Sequence, residues 1–360
     1  MNRSKIEWCD HTWNPVTGCR EGCAYCYAKA MTSRFAGDIR LNMMASEDYK
    51  KVSAADGGKQ VYVLEKPMLN TTGNRLVYPF GFEPTFHRYR INSLNTLKSG
   101  KNVFVGAMTD MFGSCVPDEW ISEVMNYCAE NQKHNYLFLT KNPKRYVEFF
   151  CKCSDFKEEF LSKSMWYGTT VTRTCELSRI NYLPESECGA FVSIEPILED
   201  VLLWTNEAPA SKLNWIIIGA QTGRGTDKVV PKKEWIENIV SFADKYRIPV
   251  FMKDSLISIV EESNMRRDFP QQLQHTEISP KMKKKLYDVC ADCNAHMKKR
   301  DMITLLARSK RGEQPKQFGF MCRECFRNFC RELGIDVPKL AELTDTFTIG
   351  PGDEFKESEE

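Results

Sequence analysis

Six short apolar runs, set between amphipathic stretches from about Asn102 onward, restrict this 360-residue chain to few folds. They are Asn102 to Met108, Tyr136 to Thr140, Met165 to Val171, Ala190 to Pro196, Asn214 to Gly219 and Ile248 to Lys253. Each is nearly continuous in apolar residues, as a strand covered on both faces must be. Helix signals lie between them. Pro117 to Asn131 opens with Pro-Asp-Glu, and Pro231 to Tyr246 repeats Trp235, Ile236, Ile239, Val240 and Phe242 at helical spacing. Strand and helix alternating this often predict a parallel sheet in an α/β protein. One more strand leading into Cys19 and another near Phe80 to Phe86 bring the count to about eight, which suits a closed or nearly closed (β/α) barrel. A doubly wound open sheet is the competing architecture.

Polar residues gather at the C-terminal ends of these runs: Thr109 and Asp110, Thr140 and Lys141, Thr170 and Thr172, Ser193 and Glu195, Gln221 and Thr222, Lys253 and Asp254. In both architectures that end of the sheet carries the active site. By position, Asp110 and Lys141 are candidates for orienting a substrate, and Ser193, Glu195 and Gln221 for polar contacts to a cofactor or substrate. Residues 36–80 break the rhythm. Val61 to Glu65 and Arg75 to Pro79, separated by Asn70 to Asn74, predict a two-stranded insertion near the barrel mouth, either a substrate lid or a loop decoration.

Fifteen cysteines in a long chain without an export signal, seven of them in tight clusters, indicate reduced metal-binding thiols rather than a disulfide framework. Cys19, Cys23 and Cys26 have the spacing Cys-x3-Cys-x2-Cys. Three thiolates in one short loop hold three irons of a 4Fe–4S cluster and leave the fourth iron open. The alternative is a zinc site completed by a distant residue such as His11 or Cys9. A second constellation pairs Cys290-x2-Cys293 with Cys322-x2-Cys325 across twenty-eight residues. Two such knuckles make the usual tetrahedral zinc arrangement, with a helix or hairpin from Met302 to Phe320 filling the gap and His296 or Cys330 as substitute ligands. Cys9, Cys115, Cys128, Cys151, Cys153, Cys175, Cys188 and Cys330 read as small buried or incidental residues. Of the histidines, His11 adjoins the cysteine loop, His87 is placed to approach the barrel mouth, and His134 precedes a strand as a cap or solvent-facing residue.

The net charge of +2 conceals an uneven distribution. Residues 281–335 carry fourteen Lys/Arg against six Asp/Glu, a net +8; residues 336–360 carry two against eight, a net −6; residues 1–280 balance. The organisation read from this is a barrel over 1–280 with an insertion at about 36–80, a basic four-cysteine zinc module over 281–335, and an acidic tail over 336–360. A small module of that size needs the metal to fold. Lys298, Lys299, Arg300, Arg308, Lys310, Arg311 and Lys316, with Phe318 and Phe320, suit nucleic-acid binding, or docking of an acidic protein or of the chain's own tail. No apolar run approaches the ~18 to 20 residues of a membrane span and the N-terminus lacks a signal-peptide core, so a cytoplasmic protein is expected. No Ser-His-Asp arrangement or Gly-rich phosphate loop supports a hydrolase or nucleotide triphosphatase.

The cysteine loop, with the aromatic Tyr25 before its last cysteine, resembles the signature of the radical S-adenosylmethionine (SAM) superfamily. From Lys5 to about Arg267 the chain looks more specifically like a radical-SAM-like family common in phages and prophages and often found beside a three-Cys-motif partner protein. The matching segments include Thr12-Trp-Asn-Pro-Val-Thr-Gly-Cys19, Glu83-Pro-Thr-Phe-His-Arg88, Val103-Phe-Val-Gly-Ala-Met-Thr-Asp-Met-Phe112, Leu137-Phe-Leu-Thr-Lys-Asn-Pro143 and Phe191-Val-Ser-Ile-Glu-Pro196. Thr109-Asp110 and Thr140-Lys141 also resemble radical SAM enzymes related to DNA photoproduct lyases. The chain departs from the family at Gly219-Ala-Gln-Thr-Gly223 and at Lys253-Asp-Ser-Leu256, both at the active end, which leaves the substrate open.

The resemblance implies a (β/α) barrel of radical SAM type with Cys19, Cys23 and Cys26 on a 4Fe–4S cluster and with SAM on the open iron. Tyr25 belongs to the SAM-binding environment. Reductive cleavage of SAM to a 5′-deoxyadenosyl radical would then modify a substrate, DNA or RNA ahead of protein, with an electron donor and the three-Cys-motif protein as partners. The rival reading is a nucleic-acid-binding iron–sulfur and zinc metalloprotein without radical chemistry.

Overall fold

A computed structural model of the chain describes residues 4–273 apart from 98–99, 154–156, 206–209 and 223–227; beyond these it describes 287–289, 296–298, 302–307, 316–322, 326, 328, 331 and 346–349. The chain divides into two units, Met1–Thr276 and Glu277–Glu360. In the first unit the strands are β1 (His11–Trp13), β2 (Val16–Thr17), β3 (Lys50–Val52), β4 (Val61–Leu64), β5 (Thr85–His87), β6 (Asn102–Val105), β7 (Asn135–Thr140), β8 (Met165–Thr170), β9 (Gly189–Ile194), β10 (Trp215–Ile218) and β11 (Val250–Met252). The helices are α1 (Tyr27–Phe35), α2 (Ile39–Met44), α3 (Asp118–Glu130), α4 (Lys144–Lys152), α5 (Lys157–Phe160), α6 (Lys233–Lys245) and α7 (Ile257–Val260), with 3-10 segments that include Thr174–Tyr182.

Seven strands form one sheet in the order β1-β6-β7-β8-β9-β10-β11, with every neighbouring pair parallel. The order runs one way along the chain and never reverses. A doubly wound sheet needs a reversal to place helices on both faces; a one-way order winds every crossover to the same side and curls the sheet. The result is a seven-stranded half-barrel, not the eight-stranded closed or nearly closed barrel expected, because β1 and β11 remain edges. The eighth strand expected near Phe80 to Phe86 is β5, and it belongs to a separate four-stranded sheet ordered β2-β5-β4-β3.

The insertion differs from the expected two-stranded form as well. Val61–Leu64 pairs with β3 on one side and β5 on the other, whereas Arg75 makes only an isolated bridge to Leu69. The arms of the Asn70 to Asn74 turn still meet: the Asn70 side chain accepts from the Thr72 and Asn74 amides at 3.0 and 2.8 Å, and the Leu76 amide donates to the Met68 carbonyl at 2.9 Å, a hairpin one bridge long.

Alternation along the strands sorts side chains into two layers. On β8, Met165 and Tyr167 pack with Tyr146 and Phe149 under the helices, and Tyr146 and Tyr167 ring centroids stand 5.1 Å apart. Trp120, Ile121, Val124, Met125, Tyr127 and Cys128 bury one face of α3 in the same layer. The concave side is filled by aromatics: Trp8 lies 4.7 Å from Phe104 and 6.3 Å from both Phe191 and Trp215. This aromatic floor fills the middle of the half-barrel; one cavity lies at the C-terminal ends of the strands, and another is lined by residues at their N-terminal ends, Trp166, Gly189, Ala190 and Asn214 among them.

In the second unit Tyr287–Val289 and His296–Lys298 pair antiparallel, and Met302–Ala307 lies between an antiparallel Lys316–Cys322 and a parallel Thr346–Ile349. The expected filler between the knuckles is thus the ladder of Met302–Ala307 with Lys316–Cys322. Cys290, Cys293 and Cys325 and the acidic end 350–360 lie outside the described residues, as does the Cys322 side chain, so the zinc expectation falls there too. Among the described residues no helix is long and apolar enough to cross a membrane.

Candidate active site at the C-terminal end of the sheet

The cysteine loop begins where β2 ends. Gly18 turns the chain at φ +88°, and a Cβ at this position would stand 2.3 Å from the Glu83 carbonyl oxygen, so only glycine fits. Its amide donates to the Met108 carbonyl at 2.9 Å and its own carbonyl accepts from Thr109 Oγ1 at 2.6 Å, which ties the loop to the segment after β6. Arg20 clamps the loop to the four-stranded sheet through Glu83 at 3.0 Å and the carbonyl of Lys59 at 2.9 Å. Cys26 then caps α1, its sulfur accepting from the Lys29 amide at 3.4 Å, while the Cys19 sulfur accepts from the Glu21 amide at 3.4 Å. Amide donors to sulfur of this kind stabilise thiolates bound to metal.

Above the aromatic floor lies a cavity of about 260 Å³. Its walls come from six consecutive strand ends, β6 through β11, and from the cysteine loop. Cys19, Cys23, Tyr25 and Cys26 form one wall; Asp110, Lys141, Ser193, Glu195 and Gln221 face it from the strand ends; Trp8 and Phe104 close the bottom. The three cysteines, Tyr25 and all five strand-end candidates therefore border the same space, although every one of the five lies far beyond the cysteines in sequence.

The polar groups are held, not loose. Asp110 is buried, with one carboxylate oxygen accepting from the Lys141 amide at 2.8 Å and the other from the Phe112 amide at 3.2 Å. Burial pushes its carboxyl above the ordinary range against those hydrogen bonds, the Thr140 hydroxyl and the charge of Lys141. Asp110 thus fixes the main chain that carries Lys141, whose ammonium lies 5.5 Å from the centroid of the Tyr25 ring. Across the cavity Glu195 forms an ion pair with Lys253. Gly219 makes room for that pair, since a Cβ there would come within 3.1 Å of the Lys253 stem and 3.3 Å of Glu195. Ser255 Oγ accepts from the Ala220 amide at 3.0 Å and steadies the segment that presents Gln221.

Burial pushes the Cys19 thiol up to about 12, with Asp110 adding to the effect, and raises Cys23 in the same direction. Such thiols need a bound cation to become thiolates. Among the described residues, no three His, Cys, Asp or Glu side chains converge tightly enough to hold a single metal ion. The expected zinc completers stand elsewhere: Cys9 donates to Ser4 Oγ at 3.3 Å, and neither it nor His11 borders the cavity. Three thiols along one wall, with amide donors already on two sulfurs, suit the larger donor spacing of an iron–sulfur cube.

Two participants escaped the sequence reading. Glu21, inside the cysteine loop, borders the cavity, and burial with the Asp110 charge raises its carboxyl. Lys253 was visible only as a strand-end polar residue; its partner Glu195 lies 58 positions away. The histidines fall outside the cavity. His87 is buried and shares a 2.8 Å hydrogen bond with Thr17 Oγ1, and His134, expected to cap or face solvent, is also buried. The remaining described cysteines are free, with Cys115, Cys128 and Cys188 buried and Cys151 and Cys175 exposed.

Comparison with known proteins adds the following. The family described as "Protein of unknown function (DUF5131)" matches over residues 3–261. No curated protein matches the chain. Among solved structures it is similar to spore photoproduct lyase complexed with a dinucleoside spore photoproduct, and to a cysteine-to-alanine mutant of that enzyme with the same compound. Both show a TM-score of 0.41 and 8% identity over 70% of this chain and 78% of that one.

Proposed function

We propose that this chain, which belongs to the DUF5131 family, is a radical SAM enzyme. The observation that carries the reading is the shared cavity: three cysteines of one Cys-x3-Cys-x2-Cys loop border the same space as the polar ends of six parallel strands. Cys19, Cys23 and Cys26 would hold three irons of a 4Fe–4S cluster. Held by these three thiolates and reduced by an external one-electron donor, such a cluster would supply the electron for reductive cleavage of SAM to methionine and a hydrogen-abstracting 5′-deoxyadenosyl group.

The chain's own residues do the positioning. Ser193 and Gln221 present hydroxyl and amide groups for the polar parts of SAM, and Lys253 holds Glu195 in place beside them. Asp110 locks the main chain of Lys141, which places the side chain beside Tyr25 at the cavity wall. Trp8 and Phe104 keep water from entering from below, which protects a radical from quenching. In the second unit we assign Cys290, Cys293, Cys322 and Cys325 to structural zinc on their spacing alone.

Anaerobic reconstitution followed by SAM and dithionite tests the assignment. About four irons per chain in the first unit, as one such cluster requires, and release of 5′-deoxyadenosine are expected, with both lost in Cys23→Ala. Iron binding without deoxyadenosine, with or without candidate substrates, would sink it.

A further inference from the structure

Two tyrosines each carry a lysine over the ring face, Tyr25 with Lys141 on the wall of the cavity and Tyr182 with Lys144 on the α4 flank just outside its lining. Lys141 lies 5.5 Å from the Tyr25 ring centroid, and Lys144, at the start of α4, lies 5.4 Å from that of Tyr182, at the end of the Thr174–Tyr182 segment. Arg179 of the same segment donates to the carbonyl of Thr170, a cavity residue, at 2.8 Å.

Charges on this flank differ in their commitments. Arg179 is paired with Glu176 at 2.9 Å and Arg173 with Glu199 at 3.1 Å, whereas Lys141 and Lys144 make no ion pair among the described residues. Glu21 faces Lys141 and Arg179 from the cysteine loop at longer range. Two cations without a carboxylate ion pair, three residues apart and each beside an aromatic ring, Lys141 also bonding the Tyr25 hydroxyl, are the elements of a single-strand binding track. Aromatic faces stack bases, and cations follow the backbone. A lysine on a tyrosine is the weaker of the two possible occupants, so a base displaces it and frees the ammonium for a phosphate.

We propose that the substrate of this cavity is nucleic acid in single-stranded or locally unpaired form, its phosphates on Lys141 and Lys144 and its bases on Tyr25 and Tyr182. The assignment rests on the cavity being a reaction chamber, and it deepens the radical SAM reading by naming what enters. Unpaired nucleotides are required because a base paired and stacked within a duplex presents no free face to an aromatic ring or to a cavity.

The test uses the full-length protein and a fluorescein-labelled single-stranded oligonucleotide, with binding followed by anisotropy at several salt concentrations. Lys144→Gln should flatten the slope of log Kobs against log salt by about 0.7, the contribution of one phosphate contact to a single strand, and Lys144→Arg should restore it. Tyr182→Ala should weaken binding roughly tenfold, the scale of one lost stacking contact, without changing the slope. Lys152→Gln, on the same helix but paired with Asp118, serves as the control and should leave both unchanged. A wild-type salt slope in Lys144→Gln or wild-type affinity in Tyr182→Ala overturns the proposal. Dithionite-driven SAM cleavage, measured on the same samples, should persist in the Lys144 and Tyr182 variants. Its absence in the wild type would remove the radical reading while leaving the binding result to stand on its own.

Discussion

His134, one position before β7 (Asn135–Thr140), is 1% exposed, and neither ring nitrogen has a hydrogen-bond partner. Burial, with Lys133, His11 and Lys101 nearby, pushes the imidazole down to about 4. In the unfolded chain it titrates near its ordinary value of about 6.5. Between those values the unfolded state binds a proton that the folded state refuses, so stability falls as pH drops from about 6.5 and levels off below about 4. The expected result is a melting temperature that declines over this window by less in His134→Phe than in the wild type; equal declines would show that the imidazole is not the source. Nothing local marked His134 as buried, since its cover comes from elements distant in sequence. The cysteines were legible for the opposite reason. The cluster role proposed for them reads from a spacing of a few residues, whereas the Glu195–Lys253 pair joins two strand ends through a fold that had to exist first.

At the scale of elements, the apolar runs announced six of the seven sheet strands because burial on both faces leaves no other pattern. Strand number and closure were not legible, because β1 and β5 are three residues each and their sheet membership depends on partners, not composition. The concave face shows how closely its elements are fitted. Gly168 on β8 is paired in register with Phe191 on β9, and a Cβ at 168 would stand 2.4 Å from the phenyl ring. The same relation recurs at Gly189, where a Cβ would stand 2.2 Å from the Trp166 ring. Each glycine thus gives an aromatic ring its seat in the floor. Gly168→Ala should cost about 1–3 kcal/mol by overpacking and tilt Phe191 toward Trp8, raising the floor of the cavity. Chemical denaturation would read the loss of stability. An unchanged midpoint would mean that the ring moves freely and the floor is not a fixed packing layer.

For the whole molecule, the division at Thr276 separates the residues of the cavity from the basic stretch 281–335. All the residues that border the cavity fall between Ile6 and Lys253, within the first unit, and the charge of residues 1–280 balances. Within the second unit the +8 of 281–335 is offset by the −6 of 336–360 and by Glu277, so the unit as a whole nets +1; attraction for a polyanion is therefore local to the basic stretch 281–335, while the chemistry proposed above is placed in the first unit. Shortening the chain to end at Thr276 should therefore uncouple the two. Cluster loading and dithionite-driven release of 5′-deoxyadenosine should match the full chain, and binding of a single-stranded oligonucleotide should weaken and lose part of its salt dependence. The contribution of Lys144 to the salt slope should survive, because its flank of the cavity belongs to the first unit. Loss of cluster binding in the shortened chain would mean that the second unit completes the active site; unchanged oligonucleotide binding would mean that its basic charge serves another partner.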